Sequence, residues 1–572
     1  MAADALGVAD RSLPTVSPAG RPESKPTGGT RLARSIALSV GVLCAIALLF
    51  PVLASPLNAD DRYWYLLIGA RADGSVLEVL AWTWEHVTYE VQAGRLASLA
   101  GLERRLAGMG VIEAAVATST PLVVYQALVK LTLFAGGILS CLAFVRSLRQ
   151  RDQDGRLVRA STSTFWLTGI AGMLALAAGA QAHSQFRNGW TSYPVFTYSA
   201  VIFIFGSVAL LLWLSRLVAE RSTPMAVLAV VVLLVLAVAT NLSYELIYPA
   251  VPVAAVALAV TPVTDRTRQA VGRRAKLLTG AAYLGGFTVV FVAIRLYLAD
   301  LCSTSDCYTG VQIHLGERVL RTAIINLVTA VPGFGNTELR ADLDAVGLAD
   351  RYPVGPGTWS VAVGSAVIAV LLIIWWATSR NQATVRVDAA DTALASNRRI
   401  EARLLIVGAG LCLLVAFGTA AIMSLSIQAQ QVITAPGQPY RNTMVTWMAL
   451  AFGAVLMTRG LTLILPRRVS LIAWTALALV VGTLAALTLP NNLMALRASR
   501  IGLAATEAVN WEVVQGDVTS GSDARRCDLF ERLKDEPIAD RARTAIYQNA
   551  NAAFEHYHGQ PFCSDYSYPA AG

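Results

Sequence analysis

The sequence predicts an all-α polytopic membrane protein with about eleven transmembrane helices, and three observations carry that reading. Of 572 residues, 55% are hydrophobic and only 15% are charged. A soluble domain carries roughly 25% charged residues, so this chain lacks what a fully water-facing surface needs. The apolar residues fall into runs of about 18–25, the length that carries a helix across a bilayer. The formal net charge of +9 comes largely from short Lys/Arg clusters between those runs. That is the pattern of loops held against anionic lipid, and it argues against a nucleic-acid partner.

Each element follows in order. Residues 1–34 are Pro/Gly/Ser-rich and apolar-poor at their start, and read as a disordered cytoplasmic tail. The spans centre on 35–55, 120–145, 162–181, 195–215, 224–241, 245–262, 277–299, 358–377, 403–425, 441–458 and 469–488. The first follows Arg31 and Arg34 and is long for a signal peptide, so it reads as a retained helix. Loops around Arg146–Arg159, Arg216–Arg221, Arg266–Lys276, Arg380–Arg403 and Arg459–Arg468 are basic, and the positive-inside rule puts them in the cytoplasm. An odd number of spans then leaves the N-terminus cytoplasmic and the C-terminus exterior. The expected division is a transmembrane domain over 35–490, with large exterior loops 56–119 and 300–357, and a small exterior C-terminal cap over 491–572. Within the loops, Val76–Trp84, Leu96–Met109 and Ala323–Val331 are too short to span. They read as interfacial helices, with Trp82 and Trp84 as anchors.

The cysteines divide by place. Cys44, Cys141 and Cys412 lie in apolar runs, where a thiol behaves as a small hydrophobe. Cys302 and Cys307 share one polar loop, and Cys527 and Cys563 share the tail. On an oxidising face these make two disulfides; zinc, the competing reading, needs more ligands than the pairs supply.

Chemistry-bearing residues gather on the exterior side. Asp60 and Asp61 stand just after the first span, in Asn58-Ala59-Asp60-Asp61-Arg62-Tyr63-Trp64-Tyr65. Adjacent carboxylates raise each other's pKa and call for a compensating cation or ligand, although a solvated helix start is the plainer alternative. Glu245, in Tyr244-Glu245-Leu246, sits in a very tight turn between two spans, and a carboxylate at the edge of hydrocarbon is by default a functional candidate. Arg95, Arg187 and Arg441 are cations on the same side, suited either to a phosphate or to lipid head groups. Most of the many aromatics read as an interfacial belt, with Tyr63, Trp64 and Tyr244 nearest the carboxylates and therefore candidates to stack on a sugar. His86, His183 and His314 have no metal spacing, and two adjacent carboxylates are too few ligands, so neither a metal nor another cofactor is expected. No Walker A, GxGxxG, CxxC or GxSxG motif occurs, which leaves an ATP-driven pump or a soluble-type hydrolase without support.

A first span followed by an exterior Asp-Asp, a large first exterior loop, and further spans feeding one outer cavity resembles the GT-C class of polyprenyl-phosphate-sugar glycosyltransferases. Asn58-Ala59-Asp60-Asp61, Gly94-Arg95 and Tyr244-Glu245 most resemble the O-antigen serotype-converting glucosyltransferases, and the actinobacterial envelope arabinosyltransferases are similar in plan. The likeness covers roughly residues 35–490; the disulfide-bearing tail departs from the simplest members. It implies a bacterial plasma-membrane enzyme with a polyprenyl-phosphate sugar donor and an envelope glycan or glycolipid acceptor. It further implies Asp60 or Asp61 as general base, with Asp61 favoured for its proximity to the aromatic run, Arg441 or Arg95 on the donor phosphate, and Glu245 orienting the acceptor or an arginine. Two rivals are a transporter of lipid-linked sugars and a non-enzymatic envelope scaffold. Span centres nearly free of charge, with no internal repeat, argue against the transporter.

Overall fold

The computed structural model describes residues 28–57, 61–182, 190–191, 193–221, 223–304, 307–308, 312–334, 339, 343–344, 347, 357–383, 391–439, 441–519 and 521–564. Residues 1–27 of the expected tail lie outside this set, as do Asp60, His183, Arg187 and Tyr440.

The described chain is almost wholly helical. Helix α1 (Gly28–Leu53) leads to α2 (Asp61–Ala72), α3 (Val76–Gln92) and α4 (Ser98–Thr118), the helices of the first large loop. Then come α5 (Leu122–Ser147), α6 (Thr162–Ala178), α7 (Pro194–Glu220), α8 (Thr223–Leu242) and α9 (Ala250–Val260). Next are α10 (Gln269–Gly280), α11 (Gly286–Thr304), α12 (Arg318–Ala330), α13 (Thr358–Ala383), α14 (Asp391–Ser424) and the short α15 (Ile427–Val432). Helices α16 (Thr443–Ile464) and α17 (Arg467–Gly502) complete the bundle, and α18 (Ala504–Gln515), α19 (Ser522–Arg532) and α20 (Asp540–His558) form the cap. A two-residue antiparallel ladder, Gln150–Arg151 with Leu157–Val158, closes the loop after α5.

Among the described residues nine helices are long and apolar enough to cross a membrane, and the protein is an integral membrane protein. The other two expected spans are the shorter apolar helices Thr164–Ala178 and Glu245–Val260. At 1.5 Å per residue, a 26-residue helix such as α5 is about 39 Å long, enough for a hydrocarbon core of about 30 Å.

The bundle has two chemically distinct ends. Helix α5 finishes at Ser147 and α7 at Glu220 among the basic loops, where Arg216 donates to the Ser147 carbonyl at 2.7 Å and Arg151 to the Thr264 carbonyl. Both helices begin at the opposite end, where α1 and α8 finish and Glu245 and Arg441 lie. That end carries α2–α4 and the cap.

The cap shares a core with the first loop. Leu66, Ile112 and Ala115 pack with Val509, Val513, Phe530, Ile546 and Phe554 in one buried cluster. The boundary expected at 490 is displaced: α17 runs through Pro490 to Gly502. Its apolar pattern stops there because Asn491 and Asn492 follow, yet both are buried, and Asn492 accepts from the Ala182 N–H at 2.7 Å. A satisfied buried amide keeps a helix packed where hydropathy ends. Trp82 also departs from the anchor expectation. It is buried and stacked on Trp64 at 5.9 Å, whereas its neighbour Trp84 is 78% exposed.

Both disulfides, Cys302–Cys307 and Cys527–Cys563, are formed. Cys44, Cys141 and Cys412 are free and buried.

Candidate functional site

Asp61 is the first residue of α2, where a negative charge complements the exposed N–H groups of a helix start. It is 3% exposed. One carboxylate oxygen accepts from the Arg104 guanidinium at 2.6 Å, and the other faces the Tyr193 N–H at 3.3 Å. Tyr193 holds a left-handed backbone, φ +54° and ψ +47°, immediately before Pro194 at the start of α7. A bulky residue rarely adopts that conformation, and here it aims a backbone donor at Asp61.

Arg104 lies over an aromatic nest, 4.4 Å from the Trp64 ring centre, 5.2 Å from Tyr193 and 5.7 Å from Phe196. A flat, weakly hydrated guanidinium suits such a place. Its neighbours on α4 fan out in other directions, as successive helix residues must. Glu103 accepts from the Ser199 hydroxyl of α7 at 3.1 Å, and Arg105 reaches the Thr83 hydroxyl at 3.2 Å and the Trp82 ring. Burial raises the Glu103 pKa above its usual value, and the Ser199 hydroxyl only partly offsets that.

The aromatic nest continues to a second ion pair. Phe196 stacks on Tyr193 and on Tyr244, at 6.0 and 5.6 Å. The Arg95 guanidinium lies 4.9 Å from the Tyr244 ring centre and donates to Glu245 at 3.1 Å. Burial works against the Arg95 charge, but Glu245, Tyr244 and Glu90 hold its pKa up, while Arg441 is near enough to act on it as a like charge. Arg295 acts on Glu245 as well. Glu90 accepts from the Ala97 N–H at 3.2 Å, and burial raises its pKa against that bond and against Arg95 and Arg105. Two arginines therefore act on Glu245, and Arg441 acts on the nearer of them, Arg95.

The turn carrying Arg95 is built by Gly94 and a disulfide. Gly94 has φ +78°, and a Cβ there would stand 2.8 Å from the sulfurs of both Cys302 and Cys307. Only glycine meets both demands. The Tyr308 N–H, one residue beyond the disulfide, donates to the Ala93 carbonyl at 3.1 Å.

The structure thus brings Asp61, Trp64, Arg95, Tyr244 and Glu245 into one network, with Arg441 at its edge. Tyr244 is buried and supports Arg95. Tyr63 faces elsewhere: it packs against the cap core, and its carbonyl accepts from Asn549 at 3.4 Å. His86 is half-buried, its pKa lowered by burial, Arg105 and Arg71. No group of three or more His, Cys, Asp or Glu side chains comes together among the described residues.

Arg104, Phe196 and Lys130 escaped the sequence reading. Arg104 sits in Glu103-Arg104-Arg105, which looks like a solvated triplet. Lys130 is a single charge inside the α5 run, so averaged hydropathy hides it. It is fully buried, and its ammonium donates to the Val52 carbonyl at the end of α1 at 3.3 Å. Lys130 is an exception to the expectation that span centres are nearly free of charge. Compared with known proteins, the chain matches no protein-family model and no curated protein sequence.

Proposed function

We propose that this protein is a glycosyltransferase of the bacterial plasma membrane. It moves a sugar from a polyprenyl-phosphate donor to a hydroxyl of an envelope glycan or glycolipid, on the face opposite the basic loops. The N-terminus is then cytoplasmic and the cap exterior. One observation carries the reading: Arg95 and Arg295 act on Glu245 and Arg441 acts on Arg95, so three guanidiniums meet the two carboxylates Glu245 and Glu90, and this cluster joins Asp61 through an aromatic floor. Excess guanidinium charge suits a phosphate leaving group.

In the reaction the acceptor oxygen attacks the anomeric carbon and the bond to the phosphate oxygen breaks. The electron pair leaves on the polyprenyl phosphate, and the hydroxyl proton passes to a carboxylate. A phosphate leaves as a weak base, so charge stabilisation replaces the second carboxylate that glycosidases need. Direct displacement inverts the anomeric centre. Both oxygens of Asp61 are engaged, one by the Arg104 guanidinium and the other by the Tyr193 N–H, so neither is open to a substrate hydroxyl. Asp61 is accordingly the anchor and the adjacent Asp60 the base. Trp64 borders the sugar, and Glu245 fixes Arg95.

The test is transfer by purified protein from polyprenyl-phospho-arabinose and polyprenyl-phospho-glucose. Asp60→Asn should lose about 10²–10⁴ in kcat with normal folding, and product NMR should show inversion. Full activity in both Asp60→Asn and Asp61→Asn would remove the pair from the mechanism.

Lys130 favours a second reading, a transporter of lipid-linked sugars, because a buried ammonium within a span often marks a transport path. Flipping of a labelled polyprenyl-phosphate sugar that ceases in Lys130→Met would support it over transfer.

A further inference from the structure

Between the end of α1 and the cap lies a cavity of about 180 Å³, smaller than the roughly 300–1,000 Å³ of drug-sized ligand sites. Leu57 and Leu122 supply apolar wall, and Thr506, Glu507, Asn510 and Trp511 on α18 supply the polar side. Steps of three and four residues put Thr506 or Glu507 and Asn510 on one helix face.

Asn510 points to a ligand. It is 6% exposed, and its side-chain oxygen has no hydrogen-bond partner. Such an orphan is costly unless a donor reaches it. Glu507, one turn earlier, adds a second acceptor. Thr506 is already committed to Glu536, which accepts from its N–H and its hydroxyl. No Lys or Arg stands among the described lining residues. The free acceptor atoms therefore want O–H donors, and no cation stands among the described lining side chains to hold a phosphate. Trp511 adds an indole, which combines apolar ring surface with one N–H.

The cavity also adjoins the bilayer. Pro121 begins a face of α5 that continues through Val124, 44% exposed, and Leu128, 52% exposed, at helical spacing. An apolar strip thus runs from the cavity into the lipid zone.

We propose that this cavity binds the hydroxyls of a neutral sugar, as the acceptor subsite of the enzyme. Its role as acceptor subsite rests on the transferase reading; the binding does not.

The test is calorimetric titration of the full chain in lipid nanodiscs with hexyl glucoside and hexyl arabinoside, beside hexanol and hexyl phosphate. At least one glycoside should bind, and hexanol and hexyl phosphate should bind at least about tenfold more weakly. Asn510→Leu should weaken glycoside binding roughly three- to tenfold, the worth of one hydrogen bond. Trp511→Leu should weaken it too, and serves alone where Asn510→Leu lowers thermal stability. Methyl glycosides binding as tightly as hexyl ones would identify a free glycan, and much weaker binding a lipid-borne one; both outcomes support the site. Hexyl phosphate or hexanol matching the glycosides, no glycoside binding, or affinity unchanged in both variants would overturn it. Glycoside binding that depends on Asn510, without transfer from any donor, would sink the transferase and leave the site. Transfer whose acceptor KM ignores Asn510 and Trp511 would do the reverse.

Discussion

The Asp61–Arg104 and Arg95–Glu245 pairs join a carboxylate to a guanidinium at the same end of the bundle, and they differ in what surrounds them. In the first, the side chains are 4% and 12% exposed at 2.6 Å, with an aromatic nest under the cation and a backbone donor on the anion. In the second they are 23% and 30% exposed at 3.1 Å, with Arg441 and Arg295 bringing further positive charge. A sealed, one-to-one pair holds structure, because both oxygens of its carboxylate are engaged and little water reaches it, although the buried Arg104 Nε has no hydrogen-bond partner. A more exposed pair with further guanidiniums beside it leaves room for an anionic ligand. The first fixes α2 against α4 and α7, and the second is where a phosphate has something to gain.

The hardest way to break this contrast is Arg104→Leu. It strands the Asp61 charge in a site with almost no water, at a cost of about 3–5 kcal/mol. Thermal unfolding in detergent should fall markedly, and Asp61→Asn added to Arg104→Leu should recover much of the loss. An unchanged unfolding temperature in Arg104→Leu would mean that the sealed pair is not structural.

Removing the open pair's cations should act on ligand rather than fold. Arg441→Gln and Arg95→Gln should each raise the donor KM about ten- to hundredfold, from the 1.5–3 kcal/mol of a charge-assisted hydrogen bond. Their unfolding temperatures should move far less than that of Arg104→Leu. The reverse pattern, stability lost and KM kept, would exchange the roles of the two pairs.

The contrast also explains what the sequence could tell. Asp61 and Glu245 stood out because a carboxylate beside an apolar run is costly and therefore conspicuous. Arg104 did not, because the faces of a helix that bears charges along its length are set by partners distant in sequence. Here those are Asp61 and Phe196. The spans were legible from hydropathy wherever lipid is the neighbour. Past residue 489 that signal ends although α17 continues, because Asn492 finds its partners in backbone groups more than 300 residues earlier. The cap's union with the first loop was hidden for the same reason, since its core is assembled from both ends of the chain.

The smallest expected effect is at Glu103, next to Arg104 on α4. Its half-buried carboxyl accepts one hydroxyl from Ser199, and partial burial leaves its pKa above the ordinary glutamate value of 4.5. The folded state then holds the proton more tightly than the unfolded chain does. That stability is fully present below the unfolded value and is lost as pH rises through the raised folded one. Wild-type protein should therefore lose stability over that window as the half-buried carboxyl is forced to ionise, and Glu103→Gln should abolish this part of the slope. Thermal unfolding of both proteins from pH 4 upward measures the difference. A slope that survives Glu103→Gln would assign it to Glu90, whose pKa is raised by burial in the same way despite Arg95 and Arg105. A slope of opposite sign that Glu103→Gln removes would mean that Glu103 has a cation partner and belongs with the two ion pairs.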